Sequence, residues 1–316
     1  MFGFQECYEK IAIHVCIWPV ICRLGATIMK RPSVKVIKQR VVGSQILAPQ
    51  ADELAIEDPL ELVIRYREHD GFVEDKPFVT LRTPGHDDDL IRGLLFSQGR
   101  ILGAHEISCI RYAGERPQAA PTQAIIDLNK AIDARAAQLE RSDIMQSSCG
   151  FCGSSRLREL ALPQSLKLTS TRQVECGVLH RMPEIMFDQQ KAFSATGGLH
   201  ASSLFMETGS LICVREDIGR HNALDKAIGA CLVDSKIELS RCLLCSSGRI
   251  SYEIIQKALM AGIAVVMGVG APSSLAVSLA TDFNVTLLGF ARDGRFNVYS
   301  SPERLLSNAA CLATTE

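Results

Sequence analysis

The stretch SSCGFCGSSR, residues 147–156, sets Cys149 and Cys152 two residues apart, each followed by glycine and bordered by serine. Two thiols at this spacing can take one corner of a tetrahedral metal site, cycle as a redox disulfide, or carry sulfur as a persulfide. A zinc site needs a second pair, and CLLC offers Cys242 and Cys245. On a strand, however, positions i and i+3 face opposite sides. The roughly 90 intervening residues also exceed the span of a zinc ribbon. A thioredoxin-like pair follows a strand and opens a helix, whereas this stretch has no apolar period and is dense in glycine and serine. It reads as an exposed, mobile loop, with Arg156 and Arg158 near enough in sequence to favour a thiolate. The residues alone leave all three chemistries open.

Four further constellations could serve a ligand. In TGGLHASSLF (196–205), His200 is either a satisfied polar residue in a tight turn before a helix or part of a cofactor site. REDIGRHNALDK (215–226) crowds Arg215, Glu216, Asp217, Arg220, His221, Asn222, Asp225 and Lys226 together, more than capping and surface pairing require. Such a set can hold an anion and assist proton transfer. In SSGR, Ser247, Gly248 and Arg249 follow an apolar run and precede a helix, an arrangement suited to anions, and APSS (271–274) repeats it one strand on. In TLLGFARDGRFNVYS (286–300), a turn at Asp293 and Gly294 brings Arg292 close to Arg295, beside Phe290 and Ala291. Arginine suits phosphate, and phenylalanine offers a stacking face. These turns are expected on one edge, because open α/β sheets bind ligands beyond the carboxyl ends of their strands.

The elements that must position these groups follow from periodicity. Near-alternating β-branched residues in VKVIKQRVV and LELVIRYREH, then KPFVTLRTPGHDDDLIRGLLFSQGRI, predict strands and a helix whose first turn holds Asp87, Asp88 and Asp89. Residues 114–123 read as a loop, and the Ala-rich LNKAIDARAAQLERSD as a helix. After the cysteines, SLFMETGSLICVREDIGRHNALDKAIGACLV reads as strand, loop and helix. Apolar runs then alternate with amphipathic helices to residue 300, which predicts βαβ crossovers and a largely parallel buried sheet. The expected architecture is α/β: residues 1–33 an extension, 34–146 a small mixed α/β domain, 147–156 the mobile Cys-x-x-Cys loop, and 157–316 a layered α/β sandwich.

Bulk properties narrow the function classes. The 316 residues, 47% hydrophobic and 22% charged, have globular proportions. A net charge of −1 leaves no basic footprint for nucleic acid. The twelve cysteines, several in apolar runs, fit buried reduced thiols in a cytoplasmic protein. The apolar residues 11–22 are too few to span a membrane and contain His14 and Pro19. Met29 opens a basic stretch that reads like a natural start, so residues 1–28 carry no functional weight.

Taken together, SSCGFCG, TGGLHASSLF, REDIGRHNALDKAIG, SSGRISYEIIQKALMAGIAVV and GAPSSLAVSLA resemble, in order, the formate dehydrogenase accessory sulfurtransferase family (FdhD/NarQ). The resemblance extends from about residue 34 to about 305. It implies a sulfur carrier that takes sulfur from a cysteine desulfurase as a persulfide on Cys149, with Cys152 assisting. The sulfur then passes to a bound substrate, the molybdenum cofactor as bis(molybdopterin guanine dinucleotide), for formate dehydrogenase. It also implies cofactor contact from Phe290 to Arg295 and a second domain similar in fold to cytidine deaminases. The deaminase zinc signature is absent and no structural metal is expected. A homodimer is left open. The rival reading is a noncatalytic chaperone for the molybdenum cofactor.

Overall fold

Alternation of side chains along the first described segment produces a ribbon before it produces a core. In the computed structural model, which describes residues 32–68, 71–114, 120–129 and 162–306, β1 (Ser33–Lys38) pairs antiparallel with β4 (Gln50–Ala55). The short β2 (Val41–Val42) and β3 (Gln45–Ile46) pair between them. Cys149, Cys152, Arg156, Arg158, residues 1–28 and the Ala-rich stretch from residue 130 lie outside the described residues. A five-stranded sheet is then built around β5 (Asp58–Glu68), which pairs antiparallel with β6 (Gly71–Glu74) and β7 (Phe78–Arg82). The sheet is completed by β8 (Ile107–Ala113) and by β9 (Gln123–Leu128), which runs parallel to β5. Helix α1 (Asp87–Ser97) has the three expected aspartates in its first turn. It packs Ile91, Leu94 and Leu95 against Leu60, Leu62 and Ile64 of β5.

The second sheet has six strands, in the order β12 (Leu211–Asp217), β11 (His200–Met206), β13 (Cys242–Ser246), β14 (Val265–Gly268), β15 (Thr286–Arg292), β16 (Arg295–Ser300). Only the β13–β14 and β14–β15 pairings are parallel, so the sheet is mixed rather than largely parallel. The difference arises at residues 206–210, where Gly209 takes a φ of 88° and turns the chain into a hairpin. The segment expected as strand, loop and helix is therefore two paired strands followed by α4 (Arg220–Cys231), and His200 opens a strand rather than preceding a helix.

Helices cover both faces. On one side α4, α5 (Tyr252–Met260) and α6 (Ser274–Asp282) bury Leu204, Leu244, Val266 and Leu287. On the other, α2 (Cys176–Asp188) buries Phe205, Leu243, Cys245 and Leu288 beneath Val178, Leu179, Met182 and Met186. The short α3 (Lys191–Thr196) follows α2. Cys242 and Cys245 lie in these two opposite layers, as strand alternation requires, and burial pushes both thiols up to about 12. Strand β10 (Val174–Glu175) pairs in parallel with β17 (Leu305–Leu306), so the start of this region is closed by its end.

The two sheets meet where α1 crosses α4. A Cβ on Gly93 would lie 1.8 Å from the Asp225 carbonyl oxygen, and one on Gly229 would lie 1.9 Å from that of Asp89. Only glycine lets the two backbones come this close. Beside the crossing, Lys226 Nζ forms a fully buried pair with Asp217 at 2.7 Å and donates to the Thr83 carbonyl at 2.8 Å. Asp217 also accepts from the Thr83 N–H at 3.1 Å.

Candidate functional site

A cavity of about 770 Å³ opens where β13, β14 and β15 end. That is the carboxyl edge of the parallel strands, where open α/β sheets bind ligands. Strand β11 runs antiparallel to β13, which brings its first residue, His200, to the same edge. The hairpin between β15 and β16 supplies the outer wall. Its turn residues Asp293 and Gly294 have φ of 54° and 67°, which suits the two-residue turn expected of an Asp-Gly pair.

Of the residues singled out from the sequence, His200, Ser247, Ala291, Arg292, Asp293 and Gly294 line this cavity together. The Ser247 hydroxyl is fixed by accepting from the Ala201 N–H at 2.8 Å. Gly248 is buried against the His200 ring and the stem of Arg220. Arg295 faces Arg292 across the hairpin, and both are exposed without an ionic partner among the described residues. Phe290 stands outside the lining, 39% exposed and with a φ of 54°.

His200 is half-buried, and burial is the first cause of a pKa below its usual 6.5. The positive charges of Arg220, His221 and Arg249 depress it further, with Asp217 opposing. These groups therefore form one electropositive neighbourhood at the inner end of the cavity. His221 is held by Glu253 Oε2 at 2.8 Å and Ser251 Oγ at 3.1 Å. Burial alone would raise Glu253, but the His221 hydrogen bond and the charges of His221, Lys257 and Arg220 leave its pKa lowered.

Residues 215–226, read from the sequence as a ligand-holding set, prove to be mostly framework. Arg215 bonds Asp89 of α1 at 2.9 Å, and Asn222 donates to the Leu81 carbonyl at 2.8 Å. Glu216 accepts from the N–H groups of Ala192 and Phe193 at 3.0 and 2.7 Å, satisfying the start of α3. Asp225 is paired with Lys257 at 2.8 Å and accepts from Ser97 Oγ. A charged cluster in sequence straddles a strand, a turn and a helix, so its members point in different directions. Only Arg220 and His221 remain turned toward His200, and the Arg220 Nε is buried without a hydrogen-bond partner.

The wall that sequence reasoning missed is α2 with the entry to α3. His180, Glu184, Phe187, Asp188, Gln190 and Phe193 all line the cavity. The helix was detectable from Val178, Leu179, Met182 and Met186, spaced at helical intervals and buried on one face, but Pro183 within it reads as a breaker.

Comparison with known proteins places this geometry among relatives. The model of the FdhD/NarQ family matches residues 55–306. Proteins named sulfur carrier protein FdhD are similar along most of their length. The one from Sulfurisphaera tokodaii is 36% identical over 86% of this chain and 99% of its own. The one from Streptomyces coelicolor is 39% identical over 84% of this chain and 93% of its own. The crystal structure of a candidate formate dehydrogenase accessory protein from Desulfotalea psychrophila superposes with a TM-score of 0.63 at 22% identity. It covers 87% of this chain and all of that one, a likeness of fold. Among the described residues no helix is long and apolar enough to cross a membrane.

Proposed function

The chain belongs to the FdhD/NarQ family, and on that premise we propose that it is a sulfur carrier working through Cys149 and Cys152. A cysteine desulfurase presents its sulfur as a persulfide. The Cys149 thiolate attacks the terminal sulfur, a new S–S bond forms, and the desulfurase cysteine leaves as thiolate. Cys149 then holds the persulfide. Attack by Cys152 on the Cys149 sulfur forms the Cys149–Cys152 disulfide and expels the terminal sulfur as hydrosulfide, the form in which it can become a ligand of molybdenum. A thiol reductant restores both cysteines for the next cycle. The acceptor is the molybdenum cofactor in its guanine dinucleotide form, bound as substrate and destined for formate dehydrogenase.

The observation that carries this reading is the cavity itself. It gathers His200, Ser247 and the 291–294 hairpin at the strand ends, with Arg292 unpaired at its rim. Its volume of about 770 Å³ suits a nucleotide-sized portion of a larger cofactor, with the remainder projecting outward. Arginine donors and free backbone N–H groups at the turns recognise the diphosphate.

The test is mass spectrometry after incubation with a cysteine desulfurase and L-cysteine. The peptide holding Cys149 gains the mass of one sulfur atom, removable by a thiol reductant. Nucleotide binding without that adduct would favour the chaperone reading instead.

A further inference from the structure

The cavity has two chemically unlike walls. The side formed by Ser247 and the 291–294 hairpin carries Arg292 and lies next to the positive neighbourhood of His200. The opposite side, α2 and the entry to α3, presents the carboxylates of Glu184 and Asp188, neither of which has an ionic partner among the described residues. Phosphate is repelled from that second wall.

Two buried polar groups on the same wall also lack partners. Gln190 is 3% exposed, and its amide makes no hydrogen bond among the described residues, not even as a cap for α3. His180 Nδ1 is buried without a partner, its ring 4.7 Å from that of Phe296. Buried polar atoms left unbonded cost free energy, and a bound ligand is one way to satisfy them. Phe187, 58% exposed, lies edge-on to Phe193 at 6.3 Å. These are the rings on this wall that a planar ligand can reach.

We propose that α2 and the entry to α3 form the nucleobase-selecting half of the site, where Glu184 and Asp188 read donor hydrogens on the base edge and Gln190 and His180 complete its hydrogen bonds. This rests on the reading of the cavity as a nucleotide site and deepens it. Guanine fits because its N1–H and 2-amino group are adjacent donors, which a carboxylate accepts together. Adenine offers an unprotonated ring nitrogen at the equivalent place, where a carboxylate is repelled. The nucleotide therefore lies with its base toward α2 and its diphosphate toward the hairpin.

Isothermal titration of the full chain with guanosine, inosine and adenosine diphosphates decides this. Guanosine diphosphate binds tightest; inosine diphosphate, lacking the 2-amino group, and adenosine diphosphate bind more weakly. In Glu184→Gln/Asp188→Asn, affinity for guanosine diphosphate falls about 10- to 100-fold, the loss of hydrogen bonds to a charged acceptor. Its affinity for adenosine diphosphate stays constant or rises. Arg292→Ala weakens all three alike. Both carboxylates are on exposed residues, so the double variant melts like the parent. A guanine preference that survives in the double variant overturns this inference while leaving the nucleotide site standing. Equal binding of guanine and adenine by the parent chain does the same. If no nucleotide binds, the cavity reading falls as well, whereas sulfur loading on Cys149 is measured separately and is unaffected.

Discussion

His200 is the titratable residue at which burial and charge act in the same direction. Burial first, then the positive charges of Arg220, His221 and Arg249, hold its pKa below 6.5. Between that lowered value and 6.5 the unfolded chain binds the extra proton, so stability rises with pH across the window and levels off above it. Urea midpoints measured from about pH 5 to 8 are expected to show this acid-side fall, and His200→Gln is expected to flatten part of it. The carrier thiol makes a second prediction. Cys149→Ala abolishes the sulfur adduct seen by mass spectrometry and leaves the melting temperature unchanged. Cys242 and Cys245, both raised to about 12 by burial, stay unalkylated in the native protein while denatured chains react. Residue identity was the most legible layer. Turn chemistry at Asp293-Gly294 and the opposed faces of Cys242 and Cys245 follow from local rules. The destinations of Arg215, Asn222 and Asp225 do not, because their partners Asp89, Leu81 and Lys257 are set by tertiary contact.

The α1–α4 crossing tests the same physics on elements. Replacing glycine by alanine inside a helix ordinarily stabilises it by about 0.5–1 kcal/mol. At Gly229 the new methyl would sit 1.9 Å from a backbone oxygen, which cannot rotate away. The clash prevails over propensity, and Gly229→Ala is expected to lose about 2 kcal/mol or more in a urea titration. Gly177→Ala near the start of α2, where nothing lies within 4 Å, serves as the control and is expected to be neutral or mildly stabilising. Among elements, the strands and helices from β13 to β16 were readable because each apolar run is short and bounded by turn residues. The β11–β12 hairpin was not, since METGS resembles a loop equally well whether the chain returns along its own edge or leaves it. Nor did α2 declare itself as a site wall, since its cavity residues belong to no recognised motif.

On the scale of the whole molecule, the two sheets are coupled through Asp217, Lys226 and Thr83 with almost no solvent contact. Burial raises the Asp217 pKa despite Lys226. Because the folded value lies above the usual 3.8, the native state holds the extra proton there, and stability falls as pH rises through that window. Removing one partner leaves a bare buried charge, so Lys226→Met is expected to cost about 3–5 kcal/mol. The double variant Asp217→Leu/Lys226→Met is expected to cost less than the single one, which a double-mutant cycle in urea measures directly. The α/β class could be read from the sequence, but this coupling could not, since Thr83 and Asp217 are far apart along the chain.

The parallel pairing of β10 with β17 has a consequence for how the protein is made. Arg304, 1% exposed, donates to the Ser170 carbonyl at 3.1 Å and to Thr286 Oγ1 at 3.2 Å, fastening the same seam. β10 leads directly into α2, the wall carrying Glu184 and Asp188. During synthesis, residues 174–188 leave the ribosome long before residue 305 exists, and contacts this distant in sequence form late. The nascent chain therefore exposes α2 without its closing strand until translation is nearly finished, and a ribosome stalled before Arg304 holds a chain whose ligand wall is not yet fastened.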